Sequence, residues 1–199
     1  MLKGWSSPGL LKTYDQERVP GSEFSVQQAF SRLIKRVYHG KGYNFKEEIP
    51  DLRCELGFKY TEGAFVSSDS SQHDGPETED PLDPLVQAGS RLPHVPLQGS
   101  DESMVSTLDL VKQRLVLLCV DEKSPWIDAA QSQSIPIDTH AVNATSKPIQ
   151  SDRFGQVLRL SEGEALIVRP DGYIAWRAPQ AATGHKDELK KALEQVFGA

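Results

Sequence analysis

Two short apolar runs near the C-terminal end, joined by a tight turn, constrain the fold of this chain more than any other feature. Ala165–Arg169 and Tyr173–Arg177 are rich in β-branched and aromatic side chains, which favour β-strands. Pro170-Asp171-Gly172 stands between them, and its glycine can adopt the positive φ that a tight turn needs. The sequence therefore predicts an antiparallel hairpin within a β-sheet.

The elements around this hairpin predict an α/β domain. Arg114–Val120 is an apolar run typical of a strand buried on both faces, and a helix is predicted from about Ser124 to Gln133. Ile137–Asn143 alternates like a half-buried strand, and a helix from about His185 to Phe197 follows the hairpin. This order is thioredoxin-like. The turn Asp121–Trp126 contains no CxxC, so thiol–disulfide chemistry is not expected.

Helix signals dominate the segment before this domain. Ser7-Pro8 predicts a helix to about Arg18, and Val19-Pro20 should end it because a residue before proline avoids the helical region. A second helix is predicted over Ser25–His39, with one apolar stripe turned towards the core. That stripe consists of Val26, Phe30, Leu33, Ile34 and Val37.

The charge of the chain is concentrated in one window. The chain has 22 Lys and Arg against 28 Asp and Glu, a net charge of −6. Between Tyr60 and Ser90 lie seven acids and no Lys or Arg, and the two signs nearly balance elsewhere. Ser-, Asp- and Gly-rich sequence buries too little apolar surface to offset the entropy of ordering it. We therefore expect a helical segment over residues 1–66, an acidic flexible insertion over 67–87 and the thioredoxin-like domain over 88–199.

Composition excludes several classes of protein. A basic stripe is missing, so nucleic acid is not an expected partner, and no apolar run is long enough to cross a membrane. The N-terminus lacks the pattern of a signal peptide. Cys54 and Cys119 lie too far apart to indicate a disulfide framework, and no pair of histidines has metal-ligand spacing, so no metal is expected. A reducing cytoplasmic location is the expected compartment.

Four segments carry a family resemblance: Leu2–Pro20, Gly57–Tyr60, Gly89–His94 together with Ser106–Leu110, and Leu166–Arg177. They resemble the C-terminal region of the FAD-dependent aromatic-ring hydroxylases of the phenol hydroxylase type, namely its thioredoxin-like domain and the preceding helices. The last segment is the most specific. Together they span nearly the whole chain, so the resemblance implies a relationship over its full length.

The flavin-binding motif of that family is missing from this sequence. A complete member begins with a βαβ unit whose GxGxxG turn places the FAD pyrophosphate at a helix N-terminus. Here Gly40-Lys41-Gly42 is followed by Tyr43-Asn44-Phe45, without a third glycine or a preceding strand. The resemblance therefore does not carry FAD binding over, and no cofactor is expected.

Three functions stay open at this point. The leading hypothesis is a stand-alone, flavin-independent tailoring enzyme of secondary-metabolite biosynthesis, a cofactor-free isomerase that rearranges or cyclises an epoxide-type intermediate by acid catalysis. Its substrate would be a small uncharged aromatic or terpenoid-like molecule. The second is a non-catalytic partner of a full-length flavin monooxygenase, or of another copy of itself. The third is a truncated relic, in which Leu10 and Leu11 would be exposed.

Five residues are candidates for the acid chemistry. Histidine titrates near neutral pH, and a tyrosine hydroxyl can donate a hydrogen bond from an apolar wall. For each, a structural role is the alternative: a loop histidine bonded to backbone, a satisfied tyrosine hydroxyl, or a solvated Asp15–Arg18 ion pair. The candidates are His94, Arg91, Tyr60, Asp15 and Tyr14.

Overall fold

The computed structural model describes residues 4–39, 44, 46–66, 78–99, 103–142, 146–148, 157–179 and 182–198. The helices are α1 (Leu10–Tyr38), α2 (Asp51–Leu56), α3 (Pro125–Gln131) and α4 (His185–Phe197), and a 3-10 turn covers Thr107–Leu110. The strands are β1 (Pro96–Gly99), β2 (Met104–Ser106), β3 (Leu115–Cys119), β4 (Ile137–Ala141), β5 (Ser146–Pro148), β6 (Ala165–Val168) and β7 (Ile174–Arg177).

The C-terminal domain is thioredoxin-like, as the sequence predicts. Its four strands lie in the order β4-β3-β6-β7, with β3 and β4 parallel and the other pairs antiparallel. Helix α3 connects β3 to β4, and α4 packs beside α3. The central strand β3 is buried at every residue, because alternate side chains enter two separate cores.

Each face of this sheet carries its own apolar core. On one face α3 and α4 cover Leu117 and Ile167, and the rings of Trp126 and Trp176 meet edge to face at 5.1 Å. On the other face Val116 and Leu118 pack with side chains from the segment that precedes β3. That segment also contains β1 and β2, which form a second, antiparallel sheet with β5 in the order β2-β1-β5.

The hairpin between β6 and β7 is confirmed. Gly172 has a φ of 83°, the left-handed value that its position in the turn requires. The turn is closed by the Arg169 amide, which donates to the Tyr173 carbonyl at 2.8 Å, and by the Gly172 amide, which donates to Arg169 at 2.9 Å. The turn therefore projects Arg169 and Asp171 from the end of the sheet.

The helix break at Val19-Pro20 is not observed, because α1 runs unbroken through Pro20. A proline inside a helix removes one backbone hydrogen bond, which contacts elsewhere can offset. Such contacts lie on both sides of the proline. Glu17 is buried before it, and after it the ring of Phe24 packs on that of Phe58 with their centroids 5.3 Å apart. Tertiary packing therefore overrides the local signal.

The apolar stripe predicted to face the core is mostly exposed instead. Ile34 alone of its five members is buried. The buried residues of α1 are Glu17, Phe24, Gln28, Ser31 and Ile34, so three of the five are polar. The sequence periodicity identified the stripe correctly, but the prediction that it faces the core was wrong. The surface packed against α1 instead accepts hydrogen-bonding side chains.

The C-terminal end of the acidic window, residues 78–87, is ordered. Residues 67–77 lie outside the described residues, but residues 78–87, also predicted to be flexible, pack against the rest of the chain. The Glu79 amide donates to the Gly57 carbonyl at 2.8 Å, and the Glu79 carboxylate accepts from Ser90 Oγ at 3.0 Å and from the Leu85 amide at 3.2 Å. Buried Lys59 adds a favourable charge. These partners order an acidic segment that composition alone describes as mobile.

Among the described residues, no helix combines the length and the apolar character needed to cross a bilayer.

Burial of Glu79 should make folding sensitive to pH. Burial raises the pKa of this carboxyl above its ordinary 4.5, although its hydrogen bonds and Lys59 oppose the shift. The folded protein thus binds the proton more tightly than the unfolded chain does. The stabilisation is complete below pH 4.5 and is lost as the pH rises through the folded-state pKa.

We therefore expect the free energy of unfolding of the wild type to fall relative to that of Glu79→Gln as the pH rises above 4.5, because glutamine cannot titrate. Urea titrations in steps of pH measure this difference. Glu194→Gln, which replaces an exposed carboxylate, serves as the control. A constant difference between wild type and Glu79→Gln would contradict the shift.

Candidate functional site

A buried ion pair joins α1 to the β6–β7 hairpin. The guanidinium of Arg169 donates from Nη1 to Glu17 Oε1 at 2.6 Å and from Nη2 to Glu17 Oε2 at 2.8 Å, and it also contacts Asp171. The side chains of Glu17 and Arg169 are only 9% and 14% exposed. A two-pronged contact of this kind fixes orientation as well as distance, so it sets the angle of α1 against the domain.

The same carboxylate binds the loop that follows Tyr60. Glu17 Oε1 accepts from the Ala64 amide at 2.8 Å. Gly63, with a φ of 137°, makes room for it, because a Cβ there would lie 2.4 Å from the Glu17 carboxylate. Burial lowers the pKa of Arg169, but its hydrogen bonds to Glu17 and Asp171 outweigh that effect and raise it above the ordinary value. Arg169 is therefore a permanent cation at this junction.

A row of aromatic rings extends from this ion pair. Phe58 lies between Phe24, at 5.3 Å, and Tyr60, at 5.5 Å between ring centroids. Tyr60 in turn packs on Tyr173 at 4.5 Å, and the Arg169 guanidinium sits 5.8 Å from the Tyr60 ring centre. Burial raises the pKa of Tyr173, and neighbouring Tyr60 adds to the rise. Tyr173 therefore presents a neutral hydroxyl group.

An open groove of about 460 Å³ runs along α1 beside this row, and we call it the aromatic groove. Phe24, Phe58 and Tyr60 supply its apolar wall, while Arg18 and Glu55 bring both signs of charge. The groove is wide open to solvent. Its apolar wall can contact an aromatic ring or an apolar side chain, but the groove lacks the enclosure that keeps water from a reactive intermediate.

The five predicted site residues do not converge on one place. Tyr60 lines the aromatic groove, and Arg91, although exposed, forms a β-bridge with Tyr173 beside it. His94 is exposed and contacts the residue that precedes the 3-10 turn, with its Nδ1 2.7 Å from Ser106 Oγ. The structure thus places both Tyr60 and Arg91 against Tyr173, whereas His94 contacts Ser106 instead.

The two candidates on the first helix point to solvent. Tyr14 is 62% exposed, Asp15 is exposed as well, and neither lines the aromatic groove. Arg18 lies over the Tyr14 ring at 5.9 Å. Within the described residues no Asp15–Arg18 ion pair forms.

The residues that do organise the site were missed by sequence reasoning. Glu17 and Arg169 are 152 positions apart, and nothing local links them. A weak signal existed, because both belong to segments that carry the family resemblance: Glu17 to Leu2–Pro20 and Arg169 to Leu166–Arg177. Only packing shows that the two segments meet.

The usual redox position of a thioredoxin-like domain offers no reactive thiol in this structure. Cys119, at the end of β3, is buried, and burial raises the pKa of its thiol to about 11. A protonated thiol is a poor nucleophile. Among the residues that the structure describes, no group of three or more His, Cys, Asp or Glu is placed to hold a metal ion.

Comparison with known proteins gives a consistent match. The sequence profile of the family "aromatic-ring hydroxylase, C-terminal" matches residues 86–199. The chain is 32% identical to a 4-methyl-5-nitrocatechol 5-monooxygenase from Burkholderia and 30% identical to aklavinone 12-hydroxylase RdmE from Streptomyces purpurascens. Each alignment covers 99% of this chain and 37% of the relative.

The fold extends the same match over the whole chain. A crystal structure of aklavinone-11 hydroxylase in a ternary complex with FAD and aklavinone superposes with a TM-score of 0.89 at 29% identity. The superposition covers 100% of this chain and 37% of that protein. The chain therefore spans little more than a third of the relatives it matches, and most of their length has no counterpart in it.

Removal of the Glu17 charge should destabilise the fold, because it leaves the buried Arg169 without its main partner. We expect Glu17→Gln to lower the free energy of unfolding by about 3 kcal/mol. Chemical denaturation followed by circular dichroism measures the change. Glu194→Gln, which breaks the exposed Lys190–Glu194 pair, should change it by less than about 0.5 kcal/mol. Equal effects of the two substitutions would contradict the role of the buried pair.

Proposed function

The chain belongs to the aromatic-ring hydroxylases, and we propose that it works as the C-terminal module of an FAD-dependent hydroxylase, without a catalytic centre of its own. One observation carries this proposal: the entire chain superposes on part of a hydroxylase that holds FAD and an aromatic substrate, at a TM-score of 0.89. The rest of such a hydroxylase, which would bind FAD, is called the flavin-binding body below. It would be either part of the same polypeptide or a separate partner.

The residues of this chain do not fit FAD. The sequence has no GxGxxG turn between a strand and a helix, which is the element that receives the pyrophosphate of a dinucleotide. Arg169, which lies beside the groove against Tyr60, is already paired with Glu17 and Asp171. We therefore assign the flavin to the rest of the hydroxylase.

The substrate of the assembled hydroxylase would be a small aromatic molecule. The relatives are named for 4-methyl-5-nitrocatechol and aklavinone. In this chain the aromatic groove offers a matching apolar wall of Phe24, Phe58 and Tyr60. Rings stacked in this way favour contact with another aromatic face.

Cofactor-free rearrangement of an epoxide, the leading hypothesis from sequence, is the weaker proposal. It needs a proton donor beside the reacting oxygen in a site that excludes water. His94 and Asp15 are exposed, and Tyr60 lines a groove open to solvent. Geometry therefore favours the module over the isolated catalyst.

A chimera tests the proposal. The matching segment of the Burkholderia 4-methyl-5-nitrocatechol 5-monooxygenase would be replaced by this chain. We expect the chimera to retain FAD, read from its absorbance, and to hydroxylate 4-methyl-5-nitrocatechol, whereas the enzyme without the segment should lose both properties. The 32% identity over 99% of this chain makes the exchange feasible.

Three results would contradict the proposal. The first is a soluble chimera that behaves like the truncated enzyme. The second is a flavin spectrum from this chain purified alone. The third is conversion of an aryl epoxide by the chain alone, which would restore the cofactor-free isomerase. Tyr60→Phe, which removes one hydroxyl from the groove and keeps the ring, would then show whether that activity resides in the groove.

A further inference from the structure

Helix α1 binds its own domain through a polar face. Gln28 spans a loop, since its Nε2 donates to the Glu47 carbonyl at 3.2 Å and its Oε1 accepts from the Ile49 amide at 3.0 Å. Ser31 is 1% exposed, and its hydroxyl donates to the Gln27 carbonyl at 2.9 Å. Glu17 lies on the same side, paired with Arg169. The polar groups on this face are therefore satisfied within the chain.

The opposite side of α1 is apolar and exposed. We define the outer stripe as five side chains separated by seven, four, three and four positions, which an α-helix places within about 60° of one another. The line they follow is roughly opposite Glu17, Phe24 and Gln28. The stripe consists of Val19 (53% exposed), Val26 (68%), Phe30 (43%), Leu33 (51%) and Val37 (54%).

We propose that the outer stripe is the docking face for the flavin-binding body of the hydroxylase, an inference that rests on the function proposed above. Single exposed apolar residues are common, but a contiguous apolar stripe marks an interaction surface. The superposed hydroxylase has most of its length beyond the part matched here. That remainder must pack against this module, and the buried side of α1 is already occupied.

The position of the stripe favours this occupant over a second copy of the chain. Val26 belongs both to the stripe and to the wall of the aromatic groove, so one partner can cover the two together. A coiled coil between two copies needs an apolar repeat sustained for about three to four heptads. The stripe extends only from Val19 to Val37, which is shorter than three heptads. A broad apolar surface on a larger body fits it better than a single partner helix.

Charge placed in the stripe tests the proposal. The chain would be titrated in trans against the Burkholderia enzyme that lacks its matching segment, with binding followed by calorimetry and FAD retention by absorbance. We expect Val26→Glu/Leu33→Glu to weaken binding by about 100-fold or more, because two central apolar contacts become buried charges. Val26→Ala/Leu33→Ala should weaken it by about 10-fold.

Two exposed sites on other helices provide the matched control. Gln131→Glu/Gln195→Glu adds the same charge outside the stripe and should bind like the wild type. Circular dichroism of each variant should be unchanged, since Val26 and Leu33 are exposed. Normal binding by the charged stripe variant would overturn the proposal while leaving the proposed function intact.

Two further outcomes distinguish failure of the proposed function from failure of the docking proposal alone. A wild-type chain that neither binds the truncated enzyme nor restores FAD to it, while the chimera also fails, would overturn the proposed function together with the docking face. Light scattering that shows a dimer of the wild type, converted to a monomer by Val26→Glu/Leu33→Glu, would assign the stripe to a second copy and overturn the flavin-binding body as its occupant.

Discussion

The contact between Glu17 and Arg169 holds the two halves of this molecule in register. One carboxylate binds the guanidinium of the hairpin and the amide of Ala64, so it joins α1, the loop after Tyr60 and the sheet at one point. A buried charge is tolerated only when it is paired and hydrogen-bonded. The orientation of α1, and so everything α1 presents to solvent, follows from this pairing.

Helix α1 exposes most of its apolar stripe to solvent. A helix in a self-sufficient domain usually buries its apolar side. Here three of the five buried residues are polar, and the aromatic groove and the outer stripe remain on the surface. This arrangement, together with the match to little more than a third of each hydroxylase, supports the proposal of a module that completes a larger body.

Prediction from sequence succeeded where the conformation of an element depends mainly on its own residues. The β6–β7 turn needs Gly172 in a left-handed conformation, and both flanking strands are apolar, so the hairpin was predictable. Pro20 was misleading, since the contacts of Glu17 and Phe24 offset the hydrogen bond that a proline removes from a helix. Residues 78–87 also departed from expectation, because Glu79 finds partners far along the chain.

The candidate site likewise combines a residue that the sequence pointed to with residues that it did not. Tyr60 was a candidate from sequence, but its neighbours Tyr173 and Arg169 lie far along the chain, on the β6–β7 hairpin. His94 and Asp15 carried the right functional groups and lie at the surface apart from the groove. Residue type indicates what a side chain can do, whereas its surroundings decide whether it acts.

The sequence by itself determined the thioredoxin-like sheet, its hairpin and the family, because each depends on local periodicity, turn chemistry or a contiguous motif. It also showed that α1 has an apolar stripe. Only the tertiary structure decided which way that stripe faces. The direction is set by a pairing between Glu17 and Arg169, 152 positions apart, and by a loop that binds Gln28. Such contacts form only after the chain has folded back on itself, so no local pattern records them.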